Sequence, residues 1–172
     1  MGNTKGGPAV ISPHLAEQLD QIVTYVRDYG RVALHVYGDD EPPFTYSIGF
    51  PVSVNHPEVI VVGLTQELMQ FMIDELWRQI SEEGLRLQDS SRIGGLLEGF
   101  DCIAREITDI DAIDEYFRVA VNYHQTQRGN EIDRAFQIVW PDHEEGLFPW
   151  DAGCPPEVID YQPALYRKSL NA

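Results

Sequence analysis

With 172 residues, 43% of them hydrophobic, the chain has the length for one core of ordinary size, and a second independent core does not fit. Its 28 acidic and 12 basic side chains leave a formal charge of -16, a field that repels phosphate backbones, disfavours nucleic acid and favours a basic protein as partner. Met1 to Ile11 has neither the apolar block of a secretory signal nor the length of a membrane span, and Cys102 and Cys154 lack metal or redox spacing. A reduced, cytoplasmic setting away from membranes is therefore expected, with both thiols as small buried hydrophobes.

Residues 1–10 read as a flexible N-terminal tail, and 11–172 as a single α+β domain. Ser12-Pro13 marks a helix start, Leu15, Leu19, Ile22, Val23, Val26 and Tyr29 form one apolar stripe, and Gly30 ends the helix. Arg31 to Tyr37 alternates as a strand, with turn chemistry from Gly38 to Pro43 and a returning strand from Phe44 to Phe50. Phe44, Tyr46, Ile48 and Phe50 are expected on one face of that strand. Thr45, Ser47 and Gly49 then give the other face a small, polar surface that a backbone or a ligand can approach.

Val59 to Leu64, apolar on both faces, is a central strand. Thr65 caps a helix whose wide apolar face, from Leu68 to Ile80, fits core burial or a homodimer contact, and Gly84 closes it. Leu85 to Gln88 reads as a short strand, Ile93 to Gly99 as a turn or bulge without a phosphate-binding pattern, and Phe100 to Ile107 as a strand. A third helix starts among Asp109, Asp111, Asp114 and Glu115 and turns Ile113, Phe117, Ala120 and His124 inward. Ala135 to Trp140 is a last strand, and the prolines beyond Pro141 leave an irregular C-terminal tail. The expected fold is α+β, a mainly antiparallel sheet of about five or six strands covered by three helices.

Four short motifs, in order, carry a resemblance: Phe44-Thr45-Tyr46-Ser47-Ile48-Gly49-Phe50; His56-Pro57-Glu58 leading into Val59 to Leu64; Gln137 to Asp142; and Phe148-Pro149-Trp150 with Gln162 beyond. Together they resemble the bacterial domain-of-unknown-function family 4262, from about the first helix to Gln162. The resemblance implies a single small bacterial domain and nominates these positions, and it brings no activity with it. Ser47 and Phe50 stand where threonine and leucine are expected from the family.

His56 and Glu58, two residues apart on extended backbone, would share one face and can serve a metal or a proton transfer, or else hold a turn around Pro57. The zinc-deaminase pattern also begins H-x-E, but the later pair of thiols it needs is absent. Asp142 and His143 follow the last strand, where Pro141-Asp142 is equally an ordinary turn. Tyr46 completes the catalytic candidates with His56, Glu58 and Asp142, while Ser47, Trp140, His143 and Trp150 are candidate ligand contacts. Phe148 and Trp150 wall a ligand or pin the tail to the core. No cofactor and no resident metal is assigned, since a flavin-holding barrel would rest on fold analogy alone. His35 and His124 read as satisfied core or surface histidines.

Two functions are expected from this pattern. The first is an acidic protein-recognition module, immunity-like or regulatory, that binds a basic partner through its surface and turn-rich C-terminal region. The alternative is an enzyme or a small-ligand- or metal-binding domain with a His/Glu/Asp pocket between the hairpin and the Trp140 to Trp150 loop.

Overall fold

The computed structural model describes residues 13–167. The expected N-terminal tail and the Ser12 cap lie outside them. Helix α1 (Pro13–Tyr29) leads into a hairpin of β1 (Val32–Val36) and β2 (Phe44–Ile48), the short helix α2 (Phe50–Ser53), strand β3 (Val59–Val62) and helix α3 (Gln66–Glu83). A second hairpin, β4 (Arg92–Leu97) and β5 (Phe100–Ile107), precedes α4 (Ile110–Tyr116), α5 (Arg118–Arg128), β6 (Ala135–Val139) and α6 (Pro156–Tyr161).

The six strands form one open sheet in the order β1-β2-β3-β6-β5-β4. All neighbours are antiparallel except β3 and β6, which run parallel with Val59 opposite Phe136. The fold is α+β with a mixed, mainly antiparallel sheet. Alternation divides the sheet's side chains between two cores. Val59, Val61, Phe136 and Ile138 meet α3 through Met69, Met72, Ile73 and Leu76 on one face, whereas Tyr46, Ile48, Ile60 and Val62 meet α1, α4 and α5 on the other. Burying each large apolar side chain contributes about 1.5–3 kcal/mol, so the α3 face carrying Met69, Met72, Ile73, Leu76 and Ile80 is core, while Phe71 of the same helix stays exposed.

Thr65 caps α3 by accepting from the Leu68 amide at 3.3 Å, and Gly84 ends it in the left-handed region, as the sequence indicates. Four local expectations are corrected. The returning strand stops at Ile48, because Gly49 at φ 119° turns the chain into α2 and carries Phe50 to the α3 core rather than to the face of Tyr46. Leu85 to Gln88 is not a strand, since the Leu87 amide donates to His56 instead of to a neighbouring strand. Arg92 to Leu97 is a strand, with the expected bulge inside it at Gly95, where the register against β5 shifts.

The third helix, finally, is two helices broken at Phe117. The Tyr46 hydroxyl accepts the Val119 amide at 3.0 Å, and the Glu115 carbonyl that this amide would bond in a continuous helix receives the Arg118 guanidinium instead. Tyr46 thus caps α5 from the sheet.

Candidate functional site

The last residues of the first motif, Ser47, Gly49 and Phe50, are gathered by one buried carboxylate. Glu58 lies at the start of β3 with no exposure to solvent, between the two helical layers. Its Oε1 accepts the Ser47 hydroxyl at 2.6 Å and the Phe50 amide at 3.2 Å, and its Oε2 accepts the Gly49 amide at 2.8 Å and His124 Nε2 at 2.7 Å. Ser47 in turn accepts the Val59 amide at 3.0 Å. The small face of Ser47 and Gly49 is therefore occupied by the protein's own carboxylate. With four donors on it, Glu58 has no lone pair free for a metal or a substrate proton.

The imidazole of His124 is the outlet of this network. Arg128, one turn further along α5, places a guanidinium nitrogen 3.3 Å from His124 Nδ1. A guanidinium only donates, so Nδ1 accepts, and Nε2 carries the proton shared with Glu58. A carboxylate that fixes the tautomer and orientation of an imidazole leaves the other nitrogen as a proton acceptor. His124 and Arg128 line a cleft of about 430 Å³ formed by the α2 to β3 turn, the C-terminal end of α5 and residues 130–134. His56, Glu58, His124, Arg128, Asn130 and Arg134 are among its lining side chains.

His56 reaches the same cleft but is turned away from Glu58. Its Nδ1–H donates to the Pro57 carbonyl at 2.8 Å and its Nε2 accepts the Leu87 amide at 3.1 Å, while Arg86 holds the Val54 and Asn55 carbonyls beside it. The ring staples the turn to the segment after α3. Burial pushes its pKa below the ordinary value of 6.5, and the Arg86 and Arg134 charges act in the same direction against the Pro57 carbonyl. The stability this histidine contributes is full above pH 6.5. It falls as pH drops below that value, because the unfolded chain takes up the proton first, until the folded-state pKa is reached. His35, lowered by partial burial, adds to the same slope. Urea midpoints for wild type should therefore fall more steeply between about pH 7.5 and pH 5 than those of His56→Gln. Parallel slopes would show that this ring is not the sensor.

The other expected site residues stand elsewhere. Tyr46 is buried against α5, where burial raises the pKa of its phenol and the hydroxyl serves as the helix cap. Asp142 lies beyond the far end of β6: the Glu58 carbonyl accepts the Phe136 amide, and Asp142 is six residues further on, on the order of 20 Å along extended chain. Its carboxylate accepts the Leu147 amide at 2.6 Å and the Glu144 and Glu145 amides at 3.1 Å each, bonds that hold its pKa below the usual carboxylate range. Asp142 organises its own loop. The structure does not bring the expected pocket's candidates together, because His56 and Glu58 stand at one end of the parallel pair and Asp142 and His143 at the other.

Trp140 is fixed by its indole N–H on the Val62 carbonyl at 2.8 Å, with Gln162 bonded to both its amide and its carbonyl. Trp150 stacks on Phe148 at 5.3 Å under Arg105, which pins the tail to β5. Among the described residues no three His, Cys, Asp or Glu side chains stand together as metal ligands. The site residues that sequence reasoning missed are His124 as a site member, Arg128 and Arg134. The spacing of His124 and Arg128 on one helix face was the available signal for the first two.

The sequence matches the family described as a domain of unknown function (DUF4262) over residues 25–155, and the chain belongs to that family. No curated protein and no solved structure matched the chain. Among the described residues no helix is long and apolar enough to cross a membrane.

Proposed function

We propose that the chain is a small-ligand-binding domain whose site is the cleft over His124, with Arg128, set against that imidazole, as its charged contact to the ligand. The observation that supports this is the relay from Glu58 through His124 to Arg128, which leads from the buried carboxylate to the cleft. Arg128 is exposed and has no carboxylate partner among the described residues, so its charge is available to a ligand carrying an acceptor oxygen. Enzymatic use of the site would require Arg128 to move from Nδ1 onto the ligand, which frees that lone pair as a general base with Glu58 positioning the ring.

A panel of amino acids, organic acids, sugar phosphates and nucleotides, read by thermal shift on the full chain, tests the proposal. At least one compound should raise Tm, and Arg128→Ala should weaken it about tenfold. A ligand that keeps its full affinity for Arg128→Ala binds elsewhere and removes the reading.

A second reading, recognition of a basic protein, is favoured by the surface composition. The described residues include no lysine, and the whole sequence carries a formal charge of -16. Such a field raises the rate of encounter with a basic partner and makes binding salt-sensitive.

A further inference from the structure

A second cleft, of about 430 Å³, opens at the other end of the parallel strand pair, between the loop after β6 and helix α6. Trp140, Val158 and Tyr161 supply its apolar and aromatic walls. Its charged lining is of one sign: Asp142, Glu144 and Glu157 are present, and no lysine or arginine. His143, exposed on the rim, lies 3.9 Å from Glu144.

The parts have separate roles. Asp142, saturated by three backbone amides, adds a fixed negative charge without a free lone pair on Oδ2, whereas Glu144 and Glu157 are exposed and accept no hydrogen bond from another described residue. Trp140 is held from both sides by Val62 and Gln162, so its ring is in place before anything binds, which removes an ordering cost. Aromatic walls beneath a carboxylate rim suit a planar cation on an apolar stem. A guanidinium stacks on an aromatic face and bonds a carboxylate through two N–H groups, and an ammonium does only the second, as a point charge.

We propose that this cleft is the docking site for an arginine side chain of a basic protein partner. The proposal rests on the basic-partner reading above and locates it, independently of the cleft over His124.

The test uses the full ¹⁵N-labelled chain at about 0.15 M salt, where the Debye length is about 8 Å and the general field is screened. A short peptide alternating glycine and arginine is titrated beside its lysine and citrulline counterparts, following the indole resonances of Trp77, Trp140 and Trp150. The arginine peptide should shift the Trp140 resonance saturably, the lysine peptide should bind more weakly, and the citrulline peptide should not bind. Glu144→Gln with Glu157→Gln should weaken the arginine peptide at least about fivefold, while Glu82→Gln with Glu83→Gln, the same charge removed at the C-terminal end of α3 beside the His56 turn, should change it less than about twofold. Binding that leaves Trp140 unmoved and is indifferent to the Glu144 and Glu157 changes overturns the cleft and spares the basic-partner reading. No saturable binding of any peptide overturns both.

Discussion

Glu58→Gln should cost about 3–5 kcal/mol of folding stability, a large part of the 5–15 kcal/mol that a domain of this size has. The carboxylate accepts from Ser47 and Phe50 on one oxygen and from Gly49 and His124 on the other. An amide has one accepting and one donating end. Whichever way the new side chain is turned, its NH₂ faces a backbone N–H, of Gly49 or of Phe50, which cannot reverse its role. A buried donor is then left without an acceptor, and His124 loses the group that sets its tautomer. Equilibrium urea unfolding of the two proteins measures the loss, as a lower midpoint at unchanged slope. A difference below about 1 kcal/mol would mean that the network is slack and that water already serves these amides.

The same network explains what could and could not be read from the chain. The hairpin, the apolar strand at Val59 to Val62 and the capped helix α3 are written in local patterns: alternation, a turn cluster, and Thr65 and Gly84 at the two ends. The parallel pairing of β3 with β6 joins residues separated by α3, a hairpin and two helices, and no local pattern announces it. The break at Phe117 has its cause in Tyr46, 73 positions before the Val119 amide it accepts, so periodicity alone runs the helix through it. At the site, His56 and Glu58 share a cleft as their spacing indicates, but Pro57 and the positive φ of Asn55 aim the two side chains at different partners. Asp142 resembles a ligand in sequence because the residue type that organises a loop by accepting amides is also the one that binds cations.

Gly63→Ala should be the most damaging small change outside that network, and it separates the two ends of the molecule. Gly63 closes β3 at φ 93°, with its N–H on the Pro43 carbonyl at 2.8 Å, and a methyl group there would run into the Tyr161 carbonyl oxygen at the end of α6. The obstacle is backbone, so no side-chain rotation relieves it, and α6 must move. The left-handed conformation costs about 1–2 kcal/mol for an L side chain and the collision about 1–3 more, giving about 2–5 kcal/mol in total. Gly84→Ala is the internal comparison: it shares the positive φ, at 75°, but nothing lies within 4 Å of its added carbon, so it should lose the first part alone. Urea unfolding gives both values, and equal losses would show that α6 does not press on Gly63. Because Tyr161 and Val158 wall the C-terminal cleft while His124 and Arg128 belong to the other end of the sheet, the displaced helix should abolish arginine-peptide binding and leave a ligand of the His124 cleft untouched. Loss of both together would mean that the parallel strands transmit the disturbance along their length, and the two clefts would then be one coupled system.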